Sequence, residues 1–253
     1  MADLSTAPLL ETRNLGRNFG GLAAVSGVSL SLHAGELHAV IGPNGAGKST
    51  LVNLLSGQIA PSAGQILLGG VDVTGQPAHR MAHLGIGRSF QRTNIFKTLT
   101  VLENVRLAAQ AVALPWTQVL RGAGSQHNLI EQAHAALTRV GLDAASSQTA
   151  ATLSHGAQRQ LEIAMTLAAN PKVLLLDEPL AGMGPEEGER IAVLLKGLAV
   201  ERAVLLIEHD MDFVFAVADT MTVMVNGEVL ASGPPASIRA NASVQNAYLG
   251  GHA

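Results

Sequence analysis

An α/β fold built around a mostly parallel sheet is predicted, and three observations predict it. Short apolar runs alternate with segments of helical periodicity over most of the 253 residues. A glycine-rich octapeptide, Gly42-Pro43-Asn44-Gly45-Ala46-Gly47-Lys48-Ser49, stands between an apolar run and a helical one. Residues 92–152 carry helical patterns but no comparable strand, so a helical insertion is expected to interrupt the sheet.

The elements follow in chain order. Val28, Leu30 and Leu32 alternate with Ser29 and Ser31, and His33-Ala34-Gly35 turns the chain into a strand over 37–41. An antiparallel hairpin is therefore expected to feed the first core strand. A helix is expected over 49–55, and further strands over 66–68, 86–90, 173–176, 204–207 and 220–225. Within the insertion, helical patterns run over 101–112 and 129–140, joined by a looser Gly, Ser and Gln segment over 122–127. Gly233-Pro234-Pro235 opens a short helical tail. One domain is expected, with 1–91 and 153–233 as β subdomain and core, 92–152 as helical subdomain and 234–253 as tail.

Composition narrows the chemistry. A chain of this size buries about three quarters of the surface it exposes when unfolded, so no disulfide staple is needed. With no Cys, disulfides, thiolate catalysis, Cys-ligated zinc and iron-sulfur clusters are excluded, which fits a reducing compartment. Charged residues make up 14%, against about 25% in an average soluble protein. Extensive protein interfaces or a large core would each produce that balance. A net charge of -3 supplies no positive field for a phosphate backbone, which disfavours a general nucleic-acid binder. The aliphatic runs at 203–207 and 213–218 fall far short of the roughly 20 apolar residues that cross a bilayer. Residues 1–13 lack the basic region and apolar core of an export signal, so a cytosolic protein is expected.

The octapeptide fits G-x-x-x-x-G-K-[ST] in the context that pattern requires, after a strand and before a helix. Glycines let the backbone curl so that its N–H groups face a phosphate, and the helix N-terminus adds positive potential. Lys48 supplies a full charge and Ser49 can ligate Mg²⁺. The pattern reads as a nucleoside-triphosphate cradle; the alternative is a chance glycine-rich turn. A metal carboxylate is then needed, and Asp177 and Glu178 lie just beyond the strand at 173–176. Asp177 is the candidate Mg²⁺ partner, and Glu178 could polarise an attacking water. A strand-end acid pair facing solvent is the alternative. The strand at 204–207 also ends in polar residues, Glu208-His209-Asp210. Ligands of open α/β sheets sit outside the carboxyl ends of the strands, where Gly42, Gln91, Asp177 and His209 would gather.

Leu153-Ser154-His155-Gly156-Ala157, immediately before a helical run over 158–169, resembles the L-S-G-G-Q signature of the ATP-binding cassette (ABC) family. Leu161, Ala164, Met165 and Ala168 share one face of that helix, as core packing requires, while its N-terminus exposes N–H groups suited to an anion. The resemblance covers nearly the whole chain and implies an ABC nucleotide-binding domain that uses ATP and Mg²⁺. It implies that Phe19 stacks on adenine and that residues from Gly42 to Ser49, with Thr50, hold the phosphates. Gln91 would touch the metal or water, and His209 the γ-phosphate. Phe19 could instead be an ordinary hairpin aromatic, and His209 a strand-end histidine. Ser154 and Gly156 would complete the site of a partner cassette, so that two chains meet head to tail around two ATP molecules. His155 and Ala157 depart from the signature, and Gly184 stands where the family usually has Asp.

Phe19-Gly20-Gly21-Leu22, Arg88-Ser89-Phe90-Gln91, the run from Gln158 to Ile163, Glu208-His209-Asp210-Met211 and Ala247-Tyr248-Leu249-Gly250 resemble the branched-chain amino acid importer group of that family. The group implies an ATPase energising uptake of branched-chain or related hydrophobic amino acids. It implies a second cassette, identical or paralogous, two membrane permease subunits and, indirectly, a periplasmic or extracellular substrate-binding protein. It places the chain on the cytoplasmic side of the inner membrane, with no nucleic acid. Similar cassettes serve urea import or lipopolysaccharide export, and a soluble iron-sulfur assembly ATPase is the competing reading. Residues 94–98, beside Gln91, are the expected docking place for a permease helix, with Phe96 either its anchor or simple core. His79 and His83 have zinc-pair spacing, but Arg80 stands where a zinc hydrolase carries Glu. No N-K-x-D motif supports a GTPase.

Overall fold

A computed structural model of the chain describes residues 7–90, 94–113 and 123–249. Its strands are β1 (Leu10–Phe19), β2 (Leu22–Leu32), β3 (Glu36–Ile41), β4 (Ala63–Leu68), β5 (Val71–Asp72), β6 (Ile86–Arg88), β7 (Val173–Asp177), β8 (Ala203–Ile207), β9 (Thr220–Val225) and β10 (Glu228–Gly233). The helices are α1 (Lys48–Leu55), α2 (Ala78–His83), α3 (Val101–Ala113), α4 (Ala123–Arg139), α5 (His155–Ala168), α6 (Pro185–Ala199), α7 (Met211–Val217), α8 (Pro235–Arg239) and α9 (Ala242–Leu249).

The strands form two sheets. The smaller is antiparallel, in the order β2-β1-β4-β5, and the larger runs β10-β9-β3-β8-β7-β6. All neighbours in the larger sheet are parallel except β9 and β10. Every residue of β7 and β8 is buried, because both faces of this sheet are covered. On one face Leu37, Leu174, Leu176, Val204 and Leu206 pack with residues of α3 to α6. On the other, Val40, Val173, Leu175, Leu205 and Ile207 pack with α1 and with Leu10, Leu15, Val28 and Leu32 of the smaller sheet. A third cluster joins Ala39, Ile41 and Val223 to Val214, Ile238 and Val244, seating α7 to α9.

Three expectations are corrected. The strand over 28–32 does not pair with β3. Its partner is β1, across the turn at Gly20-Gly21, and His33-Ala34-Gly35 carries the chain from one sheet to the other. β6 is shorter than 86–90, ending at Arg88. The stretch over 122–127 is not a loose joint where it is described, because α4 is already helical from Ala123. The strands over 173–176, 204–207 and 220–225 lie where the aliphatic runs place them.

Candidate functional site

β3 delivers the glycine-rich octapeptide to the carboxyl edge of the larger sheet. Leu37, Ala39, Val40 and Ile41 are fully buried, and the chain then curls into α1. Two glycines make that curl possible. A methyl group at Gly42 (φ 152°) would meet the Met224 carbonyl oxygen at 2.1 Å, and one at Gly47 (φ 97°) would meet the Ala24 carbonyl oxygen at 2.3 Å. The half-buried Lys48 ammonium folds into the curl, donating to the carbonyls of Gly42 at 2.6 Å and Pro43 at 3.0 Å. Burial draws its pKa below the usual lysine value, while the charges of Glu178 and Asp177 pull it back up. The ammonium thus lies within the field of both acids. Asn44, Gly45 and Ser49 are exposed, Pro43 and Thr50 half-buried, and the Ala46 carbonyl accepts the Gly227 N–H at 3.1 Å. α1 starts at Lys48 with no side-chain cap on its N-terminus, and the first N–H groups of a helix, which lack intrahelical partners, suit an anion.

β7 ends in Asp177, which is buried against Arg88, whose Nη2 stands 3.7 Å from Oδ2. Burial raises the Asp177 pKa above the usual carboxylate value, Arg88 opposes it, and the neighbouring Glu178 adds to it. A buried carboxylate held only by a loose ion pair fits a divalent cation, and with the exposed Ser49 hydroxyl it would make the sparse protein donor set of an ion held mainly by phosphate oxygens and water. Glu178 has φ 49°, uncommon for a residue with a side chain, and its backbone is held from both sides. Its N–H donates to Ile207 at 2.9 Å, while its carbonyl accepts from Ala181 at 3.2 Å and from Arg159 Nη2 at 3.1 Å. The register Asp177↔Ile207 sets Glu208 and His209 beside it. His209 is exposed, with Nδ1 3.9 Å from Glu178 Oε1. The carboxyl edge thus gathers the phosphate loop, both acids and His209, as expected. Gln91 lies outside the described residues.

The remaining expected residues sit apart from this cluster. Ser154 caps α5, its hydroxyl accepting the Ala157 N–H at 3.2 Å. Gly156 lies against the Glu187 carboxylate, which a methyl group there would meet at 2.2 Å and which would have to swing aside to admit one. The Ser154 hydroxyl is bonded within its own helix and the atoms nearest Gly156 are those of Glu187, so neither is partnered by the phosphate loop of the same chain in these bonds. Phe19 is exposed, with the Arg17 guanidinium 4.8 Å from its ring centre. Ala24 touches Gly47, so the hairpin that carries Phe19 abuts the phosphate loop. Phe96 is 54% exposed, which removes the core alternative. Its backbone is held by the buried Asn104, which accepts its N–H at 2.7 Å and donates to its carbonyl at 3.0 Å.

Sequence reasoning missed several buried polar groups. Glu208 accepts the N–H groups of Leu180 at 3.0 Å and His209 at 3.1 Å, and burial raises its pKa. Arg88 donates to Asn53 at 2.7 Å and Ser56 at 2.8 Å, tying β6 to α1. Arg159 and Glu162 form a buried ion pair within α5. Their signal was an i, i+3 pair of opposite charges on a helix whose neighbours Leu161, Ile163 and Ala164 are apolar.

Comparisons with known proteins show the family and the fold. The family model described as ABC transporter matches residues 25–181, and the one described as branched-chain amino acid ATP-binding cassette transporter matches 228–253. The chain is 41% identical to the high-affinity branched-chain amino acid transport ATP-binding protein BraF of Pseudomonas aeruginosa, covering 96% of this chain and 98% of that one. It is 39% identical to the corresponding protein LivG of Escherichia coli, with the same coverage. A nucleotide-free ATP-binding cassette from an ABC transporter superposes with a TM-score of 0.85 at 30% identity, over 95% of this chain and 98% of that one. A bacterial ABC transporter cassette solved as a dimer superposes with a TM-score of 0.77 at 26% identity, over 89% and 98%. With the phosphate loop, the acid pair and the capped signature helix arranged as described, the chain belongs to the ATP-binding cassette family of ABC transporters.

Proposed function

We propose that this chain is the ATP-hydrolysing subunit of an importer for branched-chain or related hydrophobic amino acids, working at the cytoplasmic face of the membrane. The observation that carries the reading is the placement of Lys48 inside the phosphate loop and within the field of Asp177 and Glu178. The substrate class rests on the likeness to BraF and LivG along nearly the full length. Among the described residues no helix is long and apolar enough to cross a membrane, so passage of the solute falls to separate permease subunits.

In this reading the loop from Gly42 to Ser49, with Thr50, binds the phosphates of ATP through its N–H groups and Lys48. Ser49 and Asp177, joined by Gln91, would hold Mg²⁺, which would supply neutralisation of phosphate charge. Glu178 accepts a proton from the attacking water, and His209 orients the γ-phosphate. Phe19 meets the adenine. Ser154 and Gly156 serve the nucleotide of a second cassette, identical or paralogous, so each reaction centre is shared between two chains. ATP closes the pair, because a γ-phosphate buried without donors on one side would be costly, and hydrolysis reopens it. Residues 92–152 form the helical subdomain of a single ATPase domain, 234–253 its tail, and Phe96 presents an apolar contact to a permease helix. A substrate-binding protein outside the membrane would supply the amino acid.

Uptake of labelled leucine by a deletion strain tests the proposal. Wild-type protein should restore it and Lys48→Ala should not. Unimpaired leucine uptake in the deletion strain would refute the substrate assignment.

A further inference from the structure

The Arg159–Glu162 pair is the most heavily connected polar feature of the core that the proposed mechanism leaves unused. Arg159 is 2% exposed and Glu162 3%. Arg159 Nη1 donates to the Phe90 carbonyl and to Glu162 Oε2, and Nη2 donates to the carbonyls of Asp177 and, at 3.1 Å, of Glu178. Glu162 Oε1 accepts the Phe90 N–H at 2.8 Å, and the Asn94 backbone also bonds to this carboxylate. One side-chain pair on the signature helix therefore grips the backbone on both sides of residues 91–93 and the backbone of both candidate catalytic acids.

Packing does not account for it. Two charges are removed from water, and Arg159 Nε finds no hydrogen-bond partner among the described residues. A buried ion pair of this kind is commonly no more stabilising than apolar side chains of the same volume. What the fork supplies is geometry. Glu178 sits at φ 49°, a conformation that persists only where the surroundings hold it, and Arg159 bonds the carbonyl of that residue.

We infer that Arg159 and Glu162 are positioning residues that lock Glu178 in its working conformation and tie it to the signature helix serving the partner's nucleotide. The inference rests on the shared-site reading above. When α5 moves against a second cassette, the Arg159 fork carries that movement to the acids of its own chain and to the segment flanking Gln91. The fork adds a side-chain joint from α5 to the acids at the end of β7 and to the segment before residue 91, beside the pairing of β6 with β7 and the Ser89 hydroxyl that accepts the Asp177 N–H at 3.3 Å.

The test uses the complex of two cassettes with their permeases, comparing wild type, Arg159→Lys and the apolar double variant Arg159→Met with Glu162→Leu. Lysine keeps a charge for Glu162 but has no fork, and the double variant keeps the core filled should lysine fail to fold. Each folded variant should bind a fluorescent ATP analogue with affinity within about twofold of wild type. Its kcat should fall by about 10- to 100-fold, the size expected for a catalytic group displaced by about 1 Å. The Hill coefficient for ATP should drop towards one. Wild-type kcat and cooperativity in a folded variant would overturn the inference, as would a loss of kcat matched by an equal loss of nucleotide-binding sites. Glu178→Gln, run in parallel, separates the two readings. If it is inactive while the Arg159 variants behave as wild type, only the positioning role falls; if it turns over normally, the proposed mechanism falls as well.

Discussion

Replacing Gly47 by alanine puts the phosphate loop to a quantitative test. The new methyl group would lie 2.3 Å from the Ala24 carbonyl oxygen, a distance that backbone on both sides must relieve by moving. Reaching ordinary van der Waals contact takes a displacement of about 1 Å, and a shift of that size in a positioned group costs about 10²-fold. The left-handed φ of 97° adds about 1–2 kcal/mol of conformational cost. Gly45 supplies the control. It has φ 80° but nothing within 4 Å of an added methyl group, so Gly45→Ala carries the conformational cost alone. Calorimetric titration with a non-hydrolysable ATP analogue should show Gly47→Ala weakened about 10²-fold or more, and Gly45→Ala by about 30-fold at most. Melting curves establish that both variants are folded. Equal affinities for the two variants would refute the steric account of this loop.

Other outcomes follow from the same geometry. Glu178→Gln should bind ATP and pair with a second cassette while losing about 10²- to 10⁴-fold in turnover, measured by phosphate release; normal turnover removes it from the role of base. Lys48→Ala should weaken nucleotide binding itself, and unchanged affinity in a titration would contradict the cradle. Phe96→Ala should leave the ATPase rate without permeases intact and reduce their stimulation of it, whereas equal loss in both would point to folding. Asp177 titrates above the usual carboxylate range because it is buried, so between its ordinary and raised values the folded chain binds more protons than the unfolded one. Stability contributed by this group is greatest below the ordinary value and falls as pH rises through that window. The urea midpoint of Asp177→Asn should therefore gain on that of wild type as pH is raised from about 4, and the opposite trend would contradict the burial argument.

The parts of the fold that were legible in advance are those where one local signal suffices. Val173, Leu174, Leu175 and Leu176 form an aliphatic run that only a doubly covered strand can bury, and the acids that follow it fall at the carboxyl edge for that reason. The octapeptide is similarly self-contained. Strand partners are not local, and alternation over 28–32 marks a strand without saying what it pairs with. β1 breaks its own alternation through register shifts between Thr12 and Leu15 and again near Arg17, which hides it from a period-two reading. β10 was detectable, since Asn226 (φ 50°) and Gly227 (φ 83°) form the Asn-Gly turn that favours a hairpin. In the site, Lys48, Asp177, Glu178 and His209 were readable from motif and strand end. The pairing of Arg159 with Glu162 left a local signal, but the bonds from Arg159 to the Phe90 and Asp177 carbonyls and from the Leu180 N–H to Glu208 did not, because they join segments distant in sequence or fold-dependent in approach.

The central claim is that one copy holds only half of each reaction centre, since Ser154 and Gly156 stand apart from the phosphate loop of their own chain. Its most direct test is the ATPase rate of chains immobilised so sparsely that none can reach another, measured before and after a free second cassette is added. The account predicts background hydrolysis from the isolated chains and recovery on addition. Full-rate hydrolysis by the spaced chains alone would contradict it.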